Sequence, residues 1–315
     1  MSDRGLVYVA GHTGLVGGAL TRLLQPTLGD RLILRTRAQL DLTDQRAVSR
    51  FFQQVRPEQV YLAAARVGGI LDNSERPAEF VYDNLMIASN VIDAAYRAGT
   101  KKLLFLGSSC IYPKHCPQPI KPEYLLSGPL ETTNRAYAIA KIAGIELCRA
   151  YRVQYGFNAI AAMPTNLYGP GDNFDPSRSH VLPGLLNRFS LAAQRGDAEV
   201  VVWGTGTPRR EFLYVDDLAE AAVLLMERYD AEEPINIGCG EDLTIAEVAR
   251  LVAEVVGYKG KIVFDPNMPD GTPRKILDVS PLKALGWAPR TPLLEGLQKT
   301  WAYCQSQRAF IDQGA

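Results

Sequence analysis

The 315-residue chain is long enough for two lobes sharing a cleft, and its 34 Lys+Arg are balanced by 34 Asp+Glu, so no chain-wide field gathers nucleic acid or an anionic membrane. Hydrophobic residues make up 47% and charged residues 22%, the mix of an ordinary soluble protein; no apolar stretch is long enough to span a bilayer, and the N-terminus enters a strand pattern without a signal-peptide layout. Five cysteines, at 110, 116, 148, 239 and 304, are odd in number and widely spaced, which points to reduced thiols in a cytoplasmic setting; no C-x-x-C pair or histidine cluster offers a metal site.

Residues 6–10 (Leu-Val-Tyr-Val-Ala) read as a buried strand, and helix signals follow over 15–24. Residues 31–34 form a second strand, Asp44 caps a helix reaching about Val55, and 59–63 form a third strand. A long helix is predicted over 78–98, a fourth strand over 102–106, a helix over 134–155 and a fifth strand over 159–163. Continuous apolar strands alternating with helices predict an α/β fold: a doubly wound parallel sheet of Rossmann type, covered on both faces. After Pro164 the pattern changes. Residues 166–179, rich in Gly, Pro, Asp and Asn, read as loop. A helix over 182–194, a strand over 200–202, a loop over 204–210 and a helix over 215–226 follow. The tail reads as one more helix near 245–256, a strand over 261–264 and a Pro-rich stretch. This predicts a second, smaller α+β lobe, with 1–165 plus roughly 211–238 forming the nucleotide lobe and roughly 166–210 plus 239–315 the substrate lobe.

Gly11-His12-Thr13-Gly14-Leu15-Val16-Gly17 lies between the first strand and the first helix. Glycines there permit a tight turn and close backbone approach, and the helix N-terminus offers N–H donors to a pyrophosphate. At the end of the second strand, where a carboxylate would hold the ribose of NAD, stand Arg35-Thr36-Arg37. An arginine fork suits a 2′-phosphate and favours NADP(H). Asp41 serves either the adenine edge or the next helix start. Tyr137 and Lys141, four residues apart, share one helix face. The ammonium is expected to lower the phenol's pKa, so that Tyr137 trades a proton with a carbonyl or alcohol near neutrality. Gly107-Ser108-Ser109 closes the fourth strand, at the sheet edge where ligands bind, so Ser108 reaches the same substrate oxygen as Tyr137.

The glycine turn, Ser108 and the Tyr137/Lys141 pair resemble the short-chain dehydrogenase/reductase superfamily in its extended, sugar-nucleotide branch. A closer resemblance, to the GDP-L-fucose synthase family, rests on several strings. These are Gly107-Ser108-Ser109-Cys110-Ile111-Tyr112-Pro113, Pro164-Thr165-Asn166-Leu167-Tyr168-Gly169-Pro170, Asp172-Asn173-Phe174, Ser179-His180-Val181, and the stretches 203–212 and 269–275. The resemblance implies a bifunctional NADP(H)-dependent oxidoreductase that inverts C3 and C5 of GDP-4-keto-6-deoxymannose and then reduces its C4 ketone. Both carbons flank the ketone, so removing a proton gives an enediolate whose oxyanion needs donors, the task of Ser108 and Tyr137. Cys110 and His180 match the family's epimerising pair. A thiol titrates near ~8.5 and an imidazole near ~6.5, so both exchange protons close to neutrality. Cys110 is read as the base and His180 as the acid.

The resemblance also implies cofactor contacts from Gly11 through Gly17, and from Arg37, Leu106, Gly107, Ser108, Ser109, Lys141, Pro164, Thr165, Asn166, Leu167 and His180. It implies GDP contacts from Arg188, Trp203, Arg210 and Asp270. Thr13 stands where many members carry arginine, which leaves Arg37 to hold the 2′-phosphate. The superfamily's paired helices, here 78–98 and 134–155, imply a homodimer. Two rivals stand beside this reading. One is a related 4,6-dehydratase, 4-epimerase or simple 4-reductase; Ser109-Cys110 replaces the acid residue and glutamate usual in a dehydratase. The other is a non-catalytic NADP-sensing regulator, which commonly loses the tyrosine or lysine kept here.

Overall fold

In the computed structural model, which describes residues 5–175, 179–268 and 270–307, the apolar runs of the first half become neighbouring strands and the segments between them their covering helices. The strands β1 (Val7–Ala10), β2 (Leu32–Arg35) and β3 (Gln59–Leu62) are linked by α1 (Leu15–Leu28) and α2 (Gln45–Val55). Then α3 (Ile70–Glu75) and α4 (Pro77–Arg97) lead to β4 (Lys102–Leu106), and α5 (Arg135–Tyr155) leads to β5 (Ala159–Pro164). Asp44 caps α2 as the sequence predicts, its carboxylate accepting from the Arg46 and Ala47 amides at 2.9 and 3.0 Å.

Beyond β5 come β6 (Asn166–Tyr168), α6 (Val181–Arg195), β7 (Glu199–Trp203), β8 (Arg209–Arg210), β9 (Phe212–Tyr214), α7 (Val215–Arg228) and β10 (Ile235–Ile237). The tail holds β11 (Leu243–Thr244), α8 (Ile245–Val256), β12 (Lys261–Asp265), β13 (Arg274–Lys275), α9 (Ser280–Ala284) and α10 (Leu293–Gln307).

The main sheet has the order β10-β5-β4-β3-β1-β2, every pair parallel. From β1 the chain steps outward to β2, then returns to the other side for β3. That reversal opens a crevice at the carboxyl ends of β1 and β3, where ligands of such sheets bind. Alternate strand residues serve opposite layers. Tyr8, Val60, Leu103 and Phe105 join the core under α2, α4 and α5, while Val9, Tyr61, Leu104 and Leu106 join the core that includes α1 and α7. Leu103 and Leu104 are each 0% exposed; truncating either to alanine costs about 2–5 kcal/mol.

The second lobe wraps α6, α8 and α10 around the parallel pair β7–β12, burying Leu186, Phe189, Val200, Val252 and Leu297. The chain then recrosses: Leu277 and Val279, and further on Leu282 and Trp287, are buried in the cores of the main sheet. The sequence pattern misses the shortest pieces. The sixth strand, β10, is three residues with the polar Asn236 at its centre. That residue is 0% exposed because Tyr112 donates to its Oδ1 at 2.6 Å and its amide donates to Ile120 O and Asp278 O. The segment 166–179, read as loop throughout, begins with β6, and within it 176–178 lie outside the described residues. Likewise the Pro-rich tail ends in α9 and α10. Among the described residues no helix is long and apolar enough to cross a membrane.

Candidate active site

The turn after β1 is packed too closely for side chains. A Cβ on Gly11, whose φ is +87°, would lie 2.7 Å from the backbone of Ala64; one on Gly17 would strike the Gly11 carbonyl and come within 2.8 Å of His12 Cα. Gly14 N-caps α1 with no side-chain cap, and the first turn holds no acidic residue. Its N–H groups and the positive end of the helix dipole therefore remain for an anion. His12 Nδ1 is buried without a hydrogen-bond partner. These features fit a dinucleotide pyrophosphate. After β2, Arg37 is 73% exposed and pairs only loosely with Asp41, at 3.7 Å. Arg35 instead lies over the Phe51 ring. Asp41 secures the turn into α2, accepting from Thr43 N at 2.9 Å and Thr43 Oγ1 at 2.7 Å. Thr13 is exposed.

The reacting end sits where β4 stops. Leu106 closes the strand, Gly107 N donates to Ala162 O at 2.8 Å, and Ser108 Oγ accepts from Cys110 N at 3.2 Å. Ser109 is buried in the short turn that follows. Helix α5 lies close against β4: a Cβ on Gly144 would strike the Phe105 ring. This contact brings the Tyr137 hydroxyl to the Ser108 side chain. It also places Lys141, 4% exposed, with Nζ donating to Leu106 O at 2.7 Å and 5.8 Å from the Tyr137 ring centre. The expected lowering of the phenol is not found. Burial raises the Tyr137 pKa above its ordinary value, the negative charge at Cys110 adds to that, and the Ser108 hydrogen bond only moderates it. The desolvation falls on the lysine as well, which is drawn down to about 7. Tyr137 thus stays protonated, the state in which it donates.

Cys110 is half-buried, and its principal partner was not singled out from the sequence. Lys275 Nζ donates to Cys110 Sγ at 3.4 Å. Burial pushes the thiol up; Lys275, the Ser108 hydroxyl and Arg210 together carry it below its ordinary value. His180 is the N-cap of α6, exposed on one side. Desolvation of its ring by the surrounding protein, and then the Lys275 charge, push the imidazole below its ordinary value. Ser109, Cys110, Asn134 and Lys275 line one small open pocket, and the buried Asn134 Oδ1 has no partner.

The segment from Pro164 to Leu167 bridges β5 and β6 beside this cleft. Thr165 N donates to Ile237 O at 2.9 Å, and the side chains of Thr165 and Asn166 both donate to Glu211 O. Glu211, 0% exposed, accepts from Gly240 N at 2.7 Å and Leu277 N at 3.0 Å. Glu211 thereby ties three crossings of the chain together, one through its carbonyl and two through its buried carboxylate. On the second lobe, Arg188 lies 5.7 Å over the Trp203 ring and donates to Val201 O, so the two form one platform, with Trp203 60% exposed. Asp270 accepts from Thr205 N and Oγ1 at 2.7 and 2.8 Å, closing the loop after Trp203, and attracts Arg210. All five cysteines are free, and no group of three or more potential metal ligands occurs among the described residues.

A dinucleotide cradle after β1, with serine, tyrosine and lysine gathered at the sheet's carboxyl edge, is the arrangement of a nicotinamide-dependent oxidoreductase. The profile of the NAD dependent epimerase/dehydratase family matches residues 7–238. A probable GDP-L-fucose synthase 1 of Oryza sativa subsp. japonica is 57% identical over 305 residues, covering 96% of this chain and 93% of the relative. Among solved structures, a GDP-6-OMe-4-keto-L-xylo-heptose reductase from C. jejuni superposes with a TM-score of 0.91 at 37% identity, covering 98% of this chain and 99% of that one. A GDP-L-fucose synthetase from Naegleria fowleri bound to NADP gives 0.88 at 30% identity, covering 98% and 96%. The chain belongs to the NAD dependent epimerase/dehydratase family and, within it, to the GDP-L-fucose synthases.

Proposed function

We propose that the chain converts GDP-4-keto-6-deoxymannose to GDP-L-fucose, inverting C3 and C5 and then reducing the C4 ketone with NADPH. The observation that carries this reading is a second proton-transfer group at the ketone site: Cys110, with Lys275 at 3.4 Å from its sulfur, next to the Ser108 that Tyr137 contacts. A plain ketone reductase has no use for a lowered thiol there.

In the epimerisation, the Cys110 thiolate takes a proton from a carbon beside the ketone. Ser108 and Tyr137 hydrogen-bond the oxyanion that develops, where fixed donors are most effective. His180 returns a proton from the opposite face. In the reduction, Tyr137 gives its proton to the C4 oxygen, and Lys141 holds the ribose end of the cofactor. NADP(H), when bound, supplies the hydride. The glycine turn from Gly11 to Gly17 would hold its pyrophosphate and Arg37 its 2′-phosphate; an NADP-bound relative of the same fold supports that choice. Arg210 and the Arg188/Trp203 platform suit a diphosphate and a base or sugar face. The nucleotide lobe is assigned to 1–165 plus roughly 211–238, and the GDP-sugar lobe to roughly 166–210 plus 239–315, except that the stretch carrying Leu277, Val279, Leu282 and Trp287 packs back into the cores of the main sheet.

Helices α4 and α5 pack on one another, and Tyr82, Ile139 and Val153 on them stay exposed, which supports a homodimer built on this pair. Five free cysteines support a reducing, cytoplasmic setting. The test of substrate is NADPH oxidation, followed by absorbance, on GDP-4-keto-6-deoxymannose. Turnover is expected there; clean turnover only on another GDP-ketosugar would reject the reading. Cys110→Ser is expected to suppress solvent-deuterium entry at C3 and C5 far more than NADPH binding, and exchange at the parental rate would place the base elsewhere.

A further inference from the structure

Four cations project from two short strands, and the fold sorts them. β13 runs parallel to β8, with Arg274 opposite Arg209 and Lys275 opposite Arg210. Asp242, its side chain 4% exposed, binds both Arg209 and Arg274 and so anchors one face of the ribbon. Because side chains alternate across a strand, Arg210 and Lys275 fall to the other face. Arg210 turns back, donating to Arg209 O at 2.8 Å and drawn toward Asp270. Lys275 reaches Cys110 Sγ at 3.4 Å, and among the described residues it pairs with no carboxylate.

We propose that Lys275 is a positioning residue for epimerisation: its ammonium holds Cys110 as a thiolate before the sugar binds, so that the sulfur meets C3 or C5 ready to accept a proton. The proposal rests on the reaction assigned above. In the step, the C–H bond breaks and an S–H bond forms. The C–H electron pair becomes a C–C π bond, and the carbonyl π pair moves onto the C4 oxygen, facing Ser108 and Tyr137. The ammonium keeps its proton throughout. Between the two carbons the thiol gives its proton to solvent water in the open pocket it lines, a loss the ammonium favours, so the same sulfur is ready for the second carbon.

The charge environment is consistent with this geometry. An opposite charge within roughly 4–6 Å lowers an acid's pKa by about 1–3 units. Facing Cys110 are Lys275, Arg210 and the Tyr137 phenol; facing Lys275 are also His180 and Cys116. Arg210 is partly engaged by Asp270, which leaves Lys275 as the cation in direct contact with the sulfur.

The test is the pH dependence of iodoacetamide alkylation of Cys110 in the full chain, without substrate. Trypsin cleaves after Lys114, so Cys110 and Cys116 appear in separate peptides and mass spectrometry reads each. Wild type is expected to titrate below an ordinary thiol. Lys275→Met is expected to raise the midpoint by about one unit or more, roughly tenfold slower alkylation near neutral pH. Lys275→Arg keeps the low midpoint, and Lys275→Gln serves in place of the methionine variant if that fails to bind NADPH. A Lys275→Met midpoint equal to wild type overturns the proposal. The same variants in D₂O with GDP-4-keto-6-deoxymannose separate the two levels. A raised midpoint with exchange at C3 and C5 falling by the same factor supports the proposal. A raised midpoint with exchange unchanged shows that Cys110 is not the base, which overturns the assigned mechanism together with the role of Lys275 in it.

Discussion

Lys141 is a cation that folding places at a disadvantage. It is 4% exposed, hydrogen-bonded to the Leu106 carbonyl, and drawn by burial from 10.5 down to about 7. Above about pH 7 the folded chain has released a proton that the unfolded chain still holds up to about 10.5. The unfolded state then binds more protons, so the lysine's contribution to stability rises with pH through that window and is lowest below it. Each unit is worth ~1.4 kcal/mol. From about pH 8 to about 9.5, wild type should gain about 2 kcal/mol that Lys141→Met does not. Near pH 7 the full penalty is roughly 4–5 kcal/mol. Methionine retains much of the stem's packing and forfeits one hydrogen bond, ~1 kcal/mol. The cofactor-free Lys141→Met protein should therefore be more stable than wild type by about 3 kcal/mol near neutrality, the gap closing as pH rises. Urea unfolding of both proteins across this range measures it. Parallel stability curves, or a wild type that is the more stable at neutral pH, would refute the reasoning. The same variant should lose ketone reduction, since Lys141 is the group proposed to hold the ribose end of the cofactor.

Other expectations follow from single contacts. Gly17→Ala puts a methyl against the Gly11 carbonyl and should weaken NADPH binding about tenfold or more by fluorescence titration, whereas Gly18→Ala, whose nearest neighbours lie at 3.6 Å, should not. Arg37→Ala should leave stability unchanged, because the side chain is 73% exposed, and should lower the ratio of NADPH to NADH affinity about tenfold. Equal loss for both cofactors would place the 2′-phosphate elsewhere. Tyr137→Phe should bind NADPH normally and reduce the ketone at least about 100-fold more slowly; an unchanged single-turnover rate would remove its role as proton donor.

The first half of the fold was legible because each strand of the main sheet up to β5 is a run of apolar residues long enough to stand out against its helices. β10 escaped notice because three residues around a buried asparagine carry no period, and its burial depends on Tyr112, 124 residues away. β8 and β13 are two residues each, and nothing local marks them as strands. The same distance problem governs the site. The spacing of Tyr137 and Lys141 gave their shared face, and the glycine turn its position. Spacing does not report depth, however, and depth sets the direction of these shifts: burial raises the phenol and lowers the lysine. Cys110 was nominated from its resemblance, but Lys275 lies 165 residues on and meets it only through the pairing of β13 with β8. Arg188 and Trp203, nominated separately, prove to be one stacked unit because α6 crosses beside β7.

The most direct measurement is a proton NMR analysis of the product formed from GDP-4-keto-6-deoxymannose and NADPH in D₂O. GDP-L-fucose carrying deuterium at both C3 and C5, with one NADPH oxidised per product, is the outcome expected of a site that pairs the Cys110 base with the Tyr137 donor. A reduced product that keeps its original C3 and C5 configuration and takes up no deuterium would contradict it, leaving a ketone reductase in which Cys110 has no chemical part.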